Sequence, residues 1–301
     1  MRKKILDNIA NGKYSRDTSK GYFNTEHGWT DHLISEKIFF SHRIETYSAG
    51  SLLDHLHAHD YYELTLIAGG EEVAYISDDQ IISAEPGMAI LSKPMKFHMF
   101  RCEKPTLYDR FVIYFRKPTD IFPEQSIMDF VALGNDSFAA FASPDQSLLG
   151  FAAAAEAALT NRDSDYASAK AYLSVCNLFL TLSDHKEVCA NAVPPPVFIS
   201  QIKKFVDTNF LNLRSVNDVA DHFFYSREYI SRSFQKYFNT PLYDYILNRK
   251  MMHCCALLQR GESVETAARK AGFHNMSSFV KVFRKRYGCN PSEYKTSQHP
   301  L

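Results

Sequence analysis

The sequence predicts a multidomain α and β chain. An N-terminal antiparallel β-barrel or sandwich leads into a helical connector and a C-terminal all-α domain with two helix-turn-helix units. Three observations carry this prediction. Short apolar runs broken by turn residues fill the stretch from about Ile38 to Arg116. Ala- and Leu-rich helical periodicity follows over residues 124–187. Near the C-terminus one capped helix, turn and longer helix occurs twice, at a spacing of roughly 48–49 residues. At 301 residues, 45% hydrophobic and 23% charged, the chain has an ordinary globular composition and room for two cores.

The N-terminal runs are Tyr62–Ala68, Glu72–Ser77, Met88–Leu91 and Tyr108–Phe115, with Gly69-Gly70, Asp78-Asp79 and Pro86-Gly87 between them. Short strands at that spacing argue for an antiparallel all-β unit. Residues 1–37, with the single tryptophan Trp29, read as an arm or an extra strand, and the sensor-like barrel as 38–120. Within it lie His55, His57, His59, Glu63 and, downstream, His98. Strand alternation sets residues two apart on one face, so Phe100 accompanies His98, and Val112 and Tyr114 accompany Arg110.

Residues 121–193 read as helical connector and dimerisation surface. One helical set is Leu148, Phe151, Ala155 and Leu159; a second is Tyr166, Ala169, Leu173, Cys176 and Leu180. The second recurs in steps of three and four, the seam of a coiled-coil-like contact, although packing on the chain's own barrel gives the same pattern. Ala190–Pro196 reads as a linker stiffened by three prolines.

In the domain over 197–298, Ser215, Ser226 and Ser263 stand where N-caps are wanted. Ala220 and Ala268 let the paired helices approach, and Gly272 suits a turn with positive φ. In the first longer helix Tyr229, Ile230, Ser233, Phe234 and Tyr237 fall at inward spacing. That leaves Arg227, Glu228, Ser231, Arg232 and Gln235 for a DNA groove. In the second, Phe279, Val282 and Phe283 face inward and His274, Asn275, Ser277, Ser278, Lys281 and Lys285 lie on the DNA side. Leu242–Gln259 reads as a continuous helix holding the two readers about one duplex turn (~34 Å) apart.

Charge supports this division. The formal net charge is zero, but residues 197–301 hold 16 Lys+Arg against 8 Asp+Glu, while residues 1–196 hold 18 against 26. A basic C-terminal domain is the electrostatic footprint of a phosphate-binding surface. The six cysteines (102, 176, 189, 254, 255 and 289) show no C-x-x-C pair or metal-ligand spacing and read as reduced thiols. The start of the chain does not read as a signal peptide, and no apolar run approaches the ~20 residues of a membrane span. A cytoplasmic location is expected.

Residues 197–298 resemble the AraC-type (AraC/XylS) family of bacterial transcription regulators. The residues that carry the likeness are Ala220, Ser226, Ile230–Phe234, Arg249, Ala256–Leu258, Ala271–Phe273, Phe279–Arg284, Gly288, Pro291 and Tyr294. The resemblance implies that Ser231, Arg232, Asn275, Ser277 and Lys281 meet base edges; Lys281 stands where Arg is frequent and lacks its bidentate fork. The N-terminal segment resembles a cupin barrel. His57, His59, Glu63 and His98 match positions that hold a metal in metal-binding cupins.

The expectation is a non-enzymatic, sequence-specific regulator that binds double-stranded DNA, forms a homodimer and meets RNA polymerase if it activates. A small polar, carbohydrate-like effector is expected in the barrel at His57, His59, Glu63, His98, Phe100 and Arg110, with no cofactor and no metal. Two alternatives stay open: a metal-dependent cupin enzyme fused to a DNA-binding domain, and a constitutive regulator whose barrel serves only dimerisation.

Overall fold

A computed structural model describes residues 14–17, 21–24, 29–35, 37–48, 56–77, 80–122, 137–143, 146–161, 165–184, 196–238, 240–287 and 289–296. Residues 190–195 of the linker expected at Ala190–Pro196, the Asp78-Asp79 turn, Cys189 and Gly288 fall outside them. The chain divides into two compact units, one within residues 1–193 and the other within 194–299.

The first unit is built on antiparallel strands. They are β1 Tyr14–Asp17, β2 Gly21–Asn24, β3 Trp29–Leu33, β4 Ile38–Tyr47, β5 Tyr62–Gly69, β6 Val73–Ser77, β7 Gln80–Ser83, β8 Met88–Ser92, β9 His98–Cys102, β10 Thr106–Phe115 and β11 Phe138–Ala142. Among the described residues they form an eight-stranded sheet, β1-β2-β3-β4-β10-β5-β8-β11, and a three-stranded sheet, β7-β6-β9. The arm expected over 1–37 thus contributes strands that continue the larger sheet. Ile67, Ile90, Tyr108 and Phe138 of the large sheet meet Val73, Tyr75, Ile82, Phe100 and Cys102 of the small one in a buried core. Two sheets packed face to face around alternating inward residues are a sandwich.

The opposite face of the large sheet is covered by helices α1 Ser147–Thr160 and α2 Ala167–Asp184. Leu64, Leu66, Phe111, Ile113 and Phe115 pack there against Leu148, Ala155, Leu159, Val175, Phe179 and Leu182. One departure from the sequence reading lies within the stretch expected to be helical. Phe138–Ala142 is a strand paired with β8. Its alternate residues Phe138 and Ala140 enter the core between the sheets, while Ala139 and Phe141 enter the core under the helices. A strand buried on both faces is a continuous apolar run, which periodicity cannot separate from a buried helix.

Of the second helical set, Cys176 is buried, whereas Tyr166, Leu173 and Leu180 are 71%, 61% and 41% exposed, and Ala169 is exposed. The helix meets its own sheet with a different face, through Ala171, Val175, Leu178, Phe179 and Leu182. The seam read from the sequence is therefore left largely on the surface of the unit.

The second unit is helical: α3 Val197–Asn209, α4 Val216–Phe223, α5 Arg227–Phe238, α6 Leu242–Gln259, α7 Val264–Lys270, α8 Met276–Tyr287 and α9 Pro291–Thr296. Ile230, Phe234 and Phe238 are buried under α5, with the Phe234 ring 5.2 Å from that of Tyr245 on α6. Met251, Cys254, Leu258, Ala267, Ala268, Phe279 and Phe283 form the core joining α6, α7 and α8. Among the described residues no helix is long and apolar enough to cross a membrane, and Cys102, Cys176 and Cys254 are free thiols.

Candidate nucleic-acid interface and histidine cluster

Each of the helix pairs α4–α5 and α7–α8 is started and turned by local chemistry. Ser215 Oγ accepts the Asn217 amide at 3.1 Å, and Asp218 Oδ2 accepts the Ser215 amide at 2.9 Å, a capping box that satisfies free amides at the start of α4. Ser263 Oγ accepts the Thr266 amide at 3.1 Å and starts α7 in the same manner. The longer helices are capped by Ser226, which accepts the Tyr229 amide at 3.2 Å, and by Asn275, whose Oδ1 accepts the Ser278 amide at 2.9 Å. Between each pair the turn closes identically: Tyr225 N donates to Ala220 O at 3.1 Å and Phe273 N to Ala268 O at 3.0 Å. The left-handed residue is Phe224 (φ 57°) in one turn and Gly272 (φ 79°) in the other.

On α5, Arg227, Glu228, Arg232 and Gln235 are exposed and Ser231 is half-buried. On and before α8, His274, Asn275, Ser277, Ser278, Lys281 and Lys285 are all exposed. The capping bond engages Asn275 Oδ1 and leaves its Nδ2 as the outward donor. One inward assignment is corrected. Tyr229 is 49% exposed, because its ring stacks on Tyr225 (4.9 Å) and against Phe198 of α3 (5.8 Å) instead of entering the core. Ser233 and Tyr237 are half-buried.

Two cationic groups that sequence reading missed hold this unit together. Lys250 on α6 donates to the carbonyls of Leu213 (2.7 Å) and Gly272 (3.5 Å), tying the loop before α4 to the turn before α8. Burial lowers its pKa, with Asp218 pulling the other way. Lys203 on α3 is almost fully buried and pairs with Asp207 at 2.8 Å. Asp207 also accepts from Tyr245 at 2.6 Å and faces Arg249 at 3.1 Å. Arg249 thus acts inside the fold. A groove of about 750 Å³ beside the Lys250 staple is lined by Arg214, Arg269, Lys270, His274, Asn275 and Ser278, among others.

In the first unit the six sequence-selected residues separate into two groups. His57, His59, Glu63 and His98 come together, with one ligand-type atom from each lying within 4.8 Å of all the others. His57 and His98 exchange backbone hydrogen bonds (3.1 and 2.9 Å), which sets their rings side by side. His59 Nε2 stands 3.1 Å and His98 Nε2 3.7 Å from Glu63 Oε2. Burial alone raises the Glu63 carboxyl's pKa; hydrogen bonding and charge from His59 and His98 outweigh it and hold the group well below the usual carboxylate range.

Arg110 and Phe100 belong elsewhere. Arg110 sits opposite Ile67 on β5, while Tyr114 sits opposite Glu63, so four residues of strand, about 13 Å, separate the two levels. Arg110 donates to Glu45 at 2.8 Å and lies over the Tyr108 ring at 4.5 Å. Phe100 packs 5.9 Å from that same ring. The Arg110 Nη1 atom is buried and has no hydrogen-bond partner.

On the helix-facing side of the large sheet, His42 bridges Glu156 of α1 (Nδ1 at 2.8 Å) and Asp109 of β10 (Nε2 at 2.8 Å). Its ring stacks on Phe111 at 4.0 Å. Burial lowers its pKa, but the hydrogen bonds and charges of Glu156 and Asp109 win, and the net shift is upward.

The repeated capped pairs define the class as a helix-turn-helix protein, and the profile of the helix-turn-helix domain matches residues 219–297. The chain is 33% identical over 100 residues to the HTH-type transcriptional activator AarP of Providencia stuartii, a third of this chain and 74% of that protein. It is 30% identical over 99 residues to the melibiose operon regulatory protein of Escherichia coli strain K12. It is 28% identical over 99 residues to the Msm operon regulatory protein of Streptococcus mutans serotype c. These two matches take in 33% of this chain and only 33% and 36% of the respective relatives' lengths. The chain belongs to the AraC/XylS family of transcription regulators.

Proposed function

We propose that this protein is a sequence-specific DNA-binding transcription regulator controlled by a small polar effector. The observation that carries the DNA reading is the repeated turn: two pairs with the same closing bond, each exposing a polar and cationic face on its longer helix. On this reading α4–α5 and α7–α8 are two helix-turn-helix units whose longer helices enter successive major grooves. Arg227, Arg232, Gln235, Asn275, Ser277 and Lys281 supply donors toward base edges, and Lys285 toward phosphate.

The sandwich acts as a cupin-like sensor. Its inner face carries the Arg110–Glu45 pair beside Tyr108 and Phe100, with Arg110 Nη1 still offering a buried donor. An aromatic wall with one unspent guanidinium N–H suits a hydroxyl-rich ring such as a sugar. The name of the melibiose operon regulatory protein points the same way. The exposed seam of α2 is the homodimer surface. The molecule works in the cytoplasm without enzymatic activity, and meets RNA polymerase where it activates.

The test is a pair of substitutions. Arg232→Ala and Lys281→Ala each weaken operator binding by about 1–3 kcal/mol, the size of one good base contact. Each relaxes preference in its own segment of the site, about one duplex turn (~34 Å) from the other. Affinity for the operator falls steeply with salt as counterions are released. Equal loss on every sequence in both variants removes the base-reading assignment and leaves phosphate contacts.

A further inference from the structure

We infer that the groove beside Lys250 binds a small organic anion, a carboxylate carried on a flat apolar body, and that its occupant competes with DNA for α8. The groove lies wholly within the helical unit, between the loop before α4, the first half of α6 and the start of α8. The competition rests on the DNA reading given above; the binding does not.

Size and floor point to a small organic molecule. The volume of about 750 Å³ falls within the range, about 300–1,000 Å³, of pockets that take such ligands. Ile246 and Phe279 are buried in its lining, and Phe273 and Val282 are half-buried. Leu211 and Tyr243 keep 37% and 54% of their surface exposed. A phosphodiester group offers no apolar face to such a floor, whereas an aromatic ring sheds water against it.

The walls are cationic. Arg214, Lys250, Arg269 and Lys270 line the groove, and no Asp or Glu does. Lys270 is paired with Glu262. Asp218 Oδ2 already accepts the amides of Arg214 and Ser215. Among the described residues no carboxylate pairs with the side chain of Arg214 or Arg269. Their planar forks match a carboxylate. Lys250 adds a charge held in place: an ammonium has three donors, and the Leu213 and Gly272 carbonyls take two of them, the second at a long 3.5 Å. Both of these partners are uncharged, and burial depresses the pKa of the group against the pull of Asp218. A carboxylate at the third N–H gains a charge-assisted bond in a place partly cleared of water. A ring alone or an anion alone satisfies half of this lining.

His274, Asn275 and Ser278 line the same groove and stand exposed on the face proposed to meet DNA. An occupant therefore sets negative charge beside the place where a phosphate would come.

The experiment uses the full chain and indole-3-propionate as the probe, with indole-3-propionamide as its neutral twin and acetate as the anion without a ring. Calorimetry is expected to show one saturable site for the propionate, with the amide and acetate each at least about tenfold weaker. Arg214→Gln, Arg269→Gln and Tyr243→Ser, all at exposed positions, are each expected to weaken it at least about threefold. Circular dichroism establishes that each variant is folded, and any one of the three suffices. Absence of saturation, equal binding of the amide, or variants that bind as wild type does each overturns the proposal, the last because the probe then sits elsewhere. Fluorescence anisotropy of a labelled random-sequence duplex at low salt reads the competition. The propionate is expected to weaken DNA binding, and acetate at the same ionic strength to leave it alone; anisotropy unmoved by saturating probe overturns the competition. A chain that binds the probe but no duplex upholds the site and overturns the DNA reading instead.

Discussion

Phe224 and Gly272 hold the same left-handed position in the two turns of the helical unit, and they predict opposite responses to substitution. Phe224 is 94% exposed, so its ring contributes no burial, while its positive φ costs about 1–2 kcal/mol for an L-residue. Phe224→Gly should therefore raise stability by up to about 1 kcal/mol after the entropy that glycine loses on folding. At Gly272 a Cβ would stand 2.6 Å from the Leu211 carbonyl oxygen, and φ is +79°. Gly272→Ala should cost at least about 2 kcal/mol, strain and overlap together. Chemical denaturation of the two variants beside wild type checks both signs. Gly272 was legible in the sequence because glycine announces a left-handed turn. Phe224 was not, because no residue type marks a position held there by the fold around it. Tyr229 failed for a related reason: helical spacing assigns a side, but the stack on Tyr225 and Phe198 was decided by a neighbouring helix.

At the scale of elements, the His42 bridge fastens α1 to β4 and β10 and gives that fastening a pH window. The folded pKa of His42 lies above its ordinary 6.5, so its contribution is full below about pH 6.5 and is lost as pH rises through the folded value. Burial raises the pKa of the Glu156 carboxyl, but the hydrogen bond and charge of His42 outweigh it, for a net downward shift. Its contribution is present above the ordinary 4.5 and lost as pH falls through the lowered value. The bridge is strongest in mildly acidic solution. His42→Gln should remove the decline in stability on the alkaline side of neutrality, measured as unfolding midpoints across a pH series. A pH profile parallel to that of wild type would show that the bridge contributes nothing. The strands and helices flanking this bridge were readable from turn residues and apolar periods. β11 was not, since Phe138–Ala142 is apolar on both faces and carries no alternation. His57, His59 and Glu63 were readable as a group because they lie close in sequence, and His98 was joined to them through the cupin resemblance. Arg110 was wrongly joined to it because alternation gives a face but no height along the strand.

For the molecule as a whole, the seam read on α2 leaves Leu173 and Leu180 exposed, and the proposed dimer surface rests on them. Leu173→Glu with Leu180→Glu sets like charges on both copies of that surface. If that surface forms the proposed dimer, sedimentation should show monomers of the double variant and dimers of wild type, with the melting curve of the single chain unchanged because neither residue is buried. A double variant that still sediments as a dimer places the contact on another surface. If an effector controls DNA binding as proposed, the factor by which it changes DNA affinity equals the factor by which DNA changes effector affinity.

The Lys250 staple also bears on the nucleic acid. One ammonium joins the loop leading into the first helix pair to the turn of the second, and α6 runs between the pairs as an unbroken helix of 18 residues, about 27 Å long. If both helix pairs read DNA as proposed, this connection restrains each of them from swinging to follow a displaced target. The two recognised segments must then share one helical phase, and mismatched spacing has to be absorbed by twisting or bending the duplex between them. Base pairs that the protein never touches enter the affinity through their stiffness. On the proposed reading, the protein selects operators by the mechanics of the intervening DNA as well as by the letters at either end.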